Sequence, residues 1–258
     1  MQSPTQTAAK SPPTIQNGQS SLNDLLARQP DLAPALAGLA AQFRAAGDDP
    51  NRRAPLEWEL IRRAQNERTL FACRGRRYAG CKLGMFRAEL PAQAVVVARA
   101  MEFAENLDVR IRAGQNLLLV GPPGTGKDFI LAALMRQAVW AGRTVAWENG
   151  VELCAAWSDQ RRRRGAEAIA TRELVIPSVL AVSDPLPPSG AMSRYEQRRW
   201  FGVTDARYSA GRATWATINA TNATEIAAAM GRASWDRLRD SALVLVCDWA
   251  SFRQSAEA

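Results

Sequence analysis

Residues 116–140 read NLLLVGPPGTGKDFILAALMRQAVW. An apolar run of strand length, Asn116 to Val120, passes directly into Gly121, Pro122, Pro123, Gly124, Thr125, Gly126, Lys127 and Asp128, and then into a helix rich in alanine and leucine. This is the G-x-x-x-x-G-K pattern in the strand, loop and helix setting that gives it meaning. Glycines leave room for successive backbone N–H groups to turn inward around a phosphate, and the helix that follows adds the positive end of its dipole. Residues 121–128 are therefore the expected phosphate-binding segment, with Lys127 meeting the terminal phosphates. The chain otherwise avoids lysine, since of 33 basic residues only Lys10, Lys82 and Lys127 are lysine.

On the C-terminal side of this loop, short apolar runs alternate regularly with helical stretches. Strands are predicted at Asn116 to Val120, Thr144 to Trp147, Ser178 to Val182, Thr214 to Ile218 and Leu243 to Cys247. Such alternation predicts an α/β fold of the P-loop NTPase kind, a five-stranded parallel sheet between helices. About ten residues follow the fifth strand, so no lid domain is expected behind the sheet.

On the other side, residues 1–20 are rich in Ser, Thr, Gln and Pro and are expected to be a disordered tail. Residues 21–70 have helical spacing, interrupted near Pro30 and Pro34, with GDDPN as a linker before a charged helix from Pro55 to Leu70. Their apolar side chains are too few for a large core. They suit a helical partner-binding region or, equally, a flap lying on the domain formed by residues 71–258.

Composition narrows the chemistry. The chain has 258 residues, 47% hydrophobic, with a net charge of +8 and no histidine. Histidine-based triads, His-liganded zinc and histidine proton shuttles are excluded. Cys73, Cys81, Cys154 and Cys247 contain no CxxC pair and are expected to be reduced thiols. With no apolar leader and no apolar run near the roughly 20 residues of a membrane helix, a soluble cytoplasmic protein without a membrane partner is expected. The positive charge favours a polyanionic partner.

The residue after the lysine of such a loop is ordinarily Ser or Thr, whose hydroxyl ligates the magnesium that accompanies ATP. Here it is Asp128, and a carboxylate beside phosphates is repelled unless a metal lies between them. The partner strand, VLAVSDP, places Ser183 where a metal-binding Asp belongs and Asp184 where a catalytic acid belongs. In that register hydroxyl and carboxylate have exchanged places, and Asp128 and Ser183 stand around one Mg2+. In the other register Asp184 holds the metal and Pro185 leaves the acid position empty. Both stay open at this stage.

GPPGTGKD with its Ala-Leu-rich helix, the ATWATIN strand, the WDRLRD helix and the ending VCDWASFRQ together resemble the DnaC/IstB-type branch of AAA+ ATPases, the helicase loaders and transposition helpers. The resemblance covers roughly residues 70–255. It implies an AAA+ ATPase domain over residues 71–258, ATP binding, side-by-side assembly into at least transient homo-oligomers, and contact with single-stranded DNA. It implies Asn219 as the sensor orienting the attacking water, and Arg237 as an arginine finger for a neighbouring subunit's nucleotide. Asp128 and Ser183-Asp184-Pro185 depart from the branch at both metal positions and place hydrolysis in question.

Arg161, Arg162, Arg163 and Arg164 form a basic run after the second strand's helix, and Arg194, Arg198 and Arg199 form a second beside Tyr195 and Trp200. Both are candidate DNA contacts, phosphate-binding cations with stacking aromatics. The basic loop Arg74 to Lys82 is either a third or a cover over the adenine pocket. The expected activity is that of a loader placing a replicative helicase on single-stranded DNA. The alternatives are a helper recruiting a transposase and a nucleotide-gated binding module without hydrolysis.

Overall fold

A computed structural model describes residues 18–160, 172–187 and 190–253. In chain order the helices are α1 (Gly18–Arg28), α2 (Ala33–Ala46), α3 (Pro50–Arg74), α4 (Pro91–Glu105), α5 (Leu107–Arg112), α6 (Lys127–Trp140), α7 (Gly150–Gln160), α8 (Arg194–Ser209), α9 (Ala223–Met230) and α10 (Arg232–Arg239). The strands are β1 (Leu117–Val120), β2 (Val145–Asn149), β3 (Val179–Ser183), β4 (Ala213–Ile218) and β5 (Leu243–Val246). They form one sheet in the order β2-β3-β4-β1-β5, and every pairing is parallel.

Side chains alternate across the sheet because successive Cβ atoms of a strand point to opposite faces. Leu117, Leu119, Val179, Ala181, Ala213 and Trp215 join the core with α4 and α6. Leu118, Val120, Leu180, Val182, Ala216 and Ile218 join the core with Trp157 of α7, Trp200 of α8 and Trp235 of α10. Buried Arg207 ties the start of β3 to β4 by donating to the carbonyls of Leu174, Pro177 and Ala213. Burial pushes its guanidinium down to about 9.

The N-terminal helices form a small core of Leu22, Leu32, Leu36, Leu39, Phe43 and Leu60, which Trp140 of α6 completes. A charged network adjoins it. Arg136, 2% exposed, donates to Glu67 at 2.7 Å and to Asp31 at 2.6 Å, and Trp140 Nε1 donates to Glu67 at 2.7 Å. This packing lays the N-terminal helices on the helix that follows the phosphate loop.

Two local expectations are corrected. The composition assigns Gly18–Ser20 to the tail, yet α1 begins at Gly18; residues 1–17 lie outside the described residues. GDDPN is a helix start rather than a linker, since the Asp49 side chain accepts from Asn51 N–H at 2.9 Å and Pro50 takes the first position of α3. All four cysteines are free thiols. Among the described residues no helix is long and apolar enough to cross a membrane.

Candidate functional site

The phosphate loop joins β1 to α6 at the end of the sheet where the parallel strands finish, the usual place for a ligand crevice in such folds. Gly124 and Gly126 hold φ of 81° and 87°, backbone that side-chain-bearing residues rarely adopt. Gly126 caps α6, and Lys127 opens it. The Lys127 ammonium is 5% exposed and donates to the carbonyls of Gly121 at 2.9 Å and Pro122 at 2.7 Å. Burial pushes it below the ordinary lysine value, against the opposing pull of Asp184 and Asp128.

Asp128, in the first turn of α6, faces the sheet. Its Oδ1 accepts from Ser183 Oγ at 2.9 Å and from Thr217 Oγ1 at 2.8 Å, while Oδ2 has no hydrogen-bond partner among the described residues. Ser183 Oγ in turn accepts from Trp147 Nε1 at 2.8 Å, so its single proton goes to Asp128. Strand alternation explains the meeting. Ser183 follows Val179 and Ala181 at spacing two, Thr217 follows Trp215, and these residues face α6.

Asp184 is the first residue beyond β3, and its positive φ of 51° breaks the alternation. It lines the cavity together with Asn219, which follows β4. Burial, seconded by Asp128, pushes its carboxyl above the usual aspartate value, with Lys127 opposing. Pro185 is buried. The structure thus puts the Ser183 hydroxyl on Asp128, and Asp184 with Asn219 in the lining of the cavity.

The cavity encloses about 700 Å³. Its floor is the phosphate loop, and its far wall is Arg77, Tyr78, Phe86 and Arg87 from the basic segment between α3 and α4. Arg74 of that segment stacks on Trp147 at 5.2 Å. The basic loop thus lines the same cavity as the phosphate loop.

A family profile described as IstB-like ATP binding protein matches residues 82–257. The chain belongs to this family. It is 26% identical over 177 residues to "Replicative helicase loader DnaC" of Escherichia coli K12, spanning 68% of this chain and 70% of that one. Solved structures share the fold. A DnaC helicase loader superposes with a TM-score of 0.58 at 17% identity, covering 67% of this chain and 99% of that one. AMPPCP-bound DnaA from Aquifex aeolicus gives 0.53 at 14% identity over 64% and 50%, and DnaI gives 0.54 at 17% over 69% and 94%. The fold is that of AAA+ P-loop proteins.

In this IstB-like chain the remaining candidates among the described residues are not part of the cavity lining. Arg237 of α10 pairs with Asp205 at 2.6 Å and stacks on Phe201 at 4.7 Å. Its partner is on α8, not the neighbouring Asp236 or Asp240. Arg194 and Arg198 are exposed, and Arg199 lies 5.8 Å from the Trp157 ring. The aromatic half of that candidate is corrected: Trp200 is fully buried, and Tyr195 is half-buried with its hydroxyl on the Trp157 carbonyl at 3.1 Å. Trp200 offers no face to a base. Arg161 to Arg164 lie outside the described residues.

Sequence reasoning missed Thr217 and Trp147. Thr217 carried a signal, its spacing of two from Trp215, but its use requires knowing that β4 lies beside β3. Trp147 carried none, because its indole reaches Ser183 from the neighbouring strand.

Proposed function

We propose that this chain is an ATP-driven loader that positions a replicative helicase on single-stranded DNA, working in the cytoplasm. The observation that carries the reading is the loop of Lys127 sharing one cavity with Asp184 and Asn219, in a chain similar over 177 residues to a protein named as a replicative helicase loader. Lys127 exchanges the carbonyls of Gly121 and Pro122 for phosphate oxygens. Asp184 polarises the attacking water, and Asn219 orients it.

Magnesium fits the donors present. It favours oxygen ligands and takes one or two carboxylates together with nucleotide phosphates. Asp128 and Asp184 supply two carboxylates on one cavity, and the Ser183 hydroxyl lies against the first. When bound with ATP, the ion neutralises charge developing on the phosphates. Carboxylate on the loop and hydroxyl on the strand then serve in exchanged positions.

Arg237, from the last turn of α10, acts on a neighbouring subunit's nucleotide in a homo-oligomer, releasing Asp205 to do so. The helical region before residue 75 holds the protein partner, and exposed Arg194 and Arg198 contact DNA phosphates. A second reading, a transposition helper that recruits a transposase, is favoured by the IstB-like profile itself. Binding of the purified replicative helicase or of a transposase from the same genome to the full chain separates the two.

The deciding assay is phosphate release from Mg-ATP with and without single-stranded DNA, with Lys127→Ala as the blank. DNA-stimulated release that the blank lacks supports the loader. Tight ATP binding without release turns the reading into a nucleotide-gated binding module.

A further inference from the structure

We infer that Trp147 is a positioning residue for the carboxylate of Asp128: acting through Ser183, its indole N–H fixes how that carboxylate meets the Mg2+ that accompanies ATP. The inference rests on the nucleotide reading of the cavity and assigns to that site a residue outside its lining.

Three adjacent strands deliver the contacts. Ser183 of β3 and Thr217 of β4 are paired across the sheet, and neither is more than 2% exposed. Trp147 of β2 pairs with Ala181, two residues before Ser183, so its side chain stands on the same face one step behind. Its Nε1 donates to Ser183 Oγ at 2.8 Å. Ser183 Oγ donates to Asp128 Oδ1 at 2.9 Å, and Thr217 Oγ1 donates to the same oxygen at 2.8 Å.

The direction of this chain of bonds follows from the donors. An indole N–H donates and cannot accept, whereas a hydroxyl carries one proton and can point it either way. With the indole on its oxygen, Ser183 turns its proton away from Trp147 and onto Asp128. Two O–H donors on Oδ1 hold the carboxylate in one orientation and leave Oδ2 for a ligand, on a residue that lines the cavity. Magnesium demands near-ideal octahedral geometry, so an oxygen held in one orientation suits it. Phe or Leu would fill the same space without the N–H, and Tyr would bring a hydroxyl that accepts as well as donates. The indole is itself held. Trp147 is 6% exposed and meets Phe71 edge-on at 6.4 Å and Tyr78 at 5.5 Å, with the Arg74 guanidinium 5.2 Å from its ring.

The test measures binding of fluorescent N-methylanthraniloyl ATP, with Mg2+ and with EDTA, to the full-length wild type, Trp147→Phe, Ser183→Ala and the double variant. The readout is the ratio of the two affinities in each protein, which a loss of folded molecules leaves unchanged. Trp147→Phe is expected to lower this ratio roughly tenfold, the worth of one hydrogen bond to a charged group, with little change in EDTA. Ser183→Ala should lower it at least as far. The double variant should fall no further than Ser183→Ala alone, because the indole acts only through that hydroxyl. A Trp147→Phe ratio equal to that of the wild type, or losses that add in free energy in the double variant, overturns the assignment while leaving the nucleotide site standing. So does a wild type that binds ATP equally well with and without Mg2+. A wild type that binds the nucleotide in neither condition overturns the nucleotide reading, and the inference with it.

Discussion

At its first turn, α6 meets the rest of the molecule through Lys127 and Asp128; at its last turns it does so through Arg136 and Trp140. Both ends use charged groups, but their partners differ in kind. Lys127 is held by two carbonyls of its own loop and Asp128 by two hydroxyls at strand ends, neutral partners that a phosphate or a metal ion can replace. Arg136 is locked between Asp31 and Glu67, and its close contact with Gln29 completes the enclosure. One end is equipped to change partners and the other to keep them.

The permanent end should show the largest effect. Glu67→Ala strands two buried donors, Arg136 Nε and Trp140 Nε1, and is expected to cost about 3 kcal/mol in chemical denaturation. A loss below about 0.5 kcal/mol would mean that the N-terminal helices are not held through this network. The exchangeable end is probed by a cycle. Asp128→Thr leaves two hydroxyls facing a third, Ser183→Asp sets two carboxylates together, and each should lower Mg-dependent turnover roughly a hundredfold. The double variant restores one carboxylate beside one hydroxyl and should regain both turnover and the Mg-dependence of ATP affinity. Additive losses would refute the exchange of ligand positions.

Asp184→Asn should abolish turnover yet melt higher than wild type, because the amide carries no charge to bury and asparagine tolerates positive φ. The sign follows from the raised carboxyl. The folded protein holds this proton more tightly than the unfolded chain, so Asp184 is harmless to stability below its ordinary value. Wild-type stability falls behind the variant as pH rises through the raised value. A gap that instead widened towards acid would contradict the burial of this group. The smallest effect is expected at Arg237, partly exposed in its pair with Asp205. Arg237→Ala should shift stability by less than about 1 kcal/mol. If the finger reading is right, it should also remove the dependence of turnover on protein concentration.

The phosphate loop was legible because its signal is local: glycine spacing, a lysine and the run into a helix lie within one short segment. The helix start at Asp49-Pro50 was equally local, a cap followed by proline, and composition alone disguised it as a linker. The burial of Trp200 was also written in the chain, since Val203, Thr204 and Arg207 share its helical face and all are buried. Proximity to arginines outweighed that periodicity and suggested a stacking surface. The placement of Ser183 was only half legible. Alternation groups Ser183 with Val179 and Ala181, but nothing in the pattern states which face of the sheet α6 covers.

By itself, then, the sequence determined the α/β class, the loop that binds phosphate, the residues 128, 183 and 184 as a set, and the exclusion of histidine chemistry. These rest on periodicity and on residue chemistry over short spans, which the chain carries wherever it folds. Only the tertiary structure decided that Ser183 and Thr217 converge on Asp128, that Asp184 and Asn219 line one cavity, and that the segment after β5 returns to the phosphate loop. Strand order, the face a helix covers and the path of a returning segment are set by burial summed over the whole molecule, and no short stretch of sequence contains that sum.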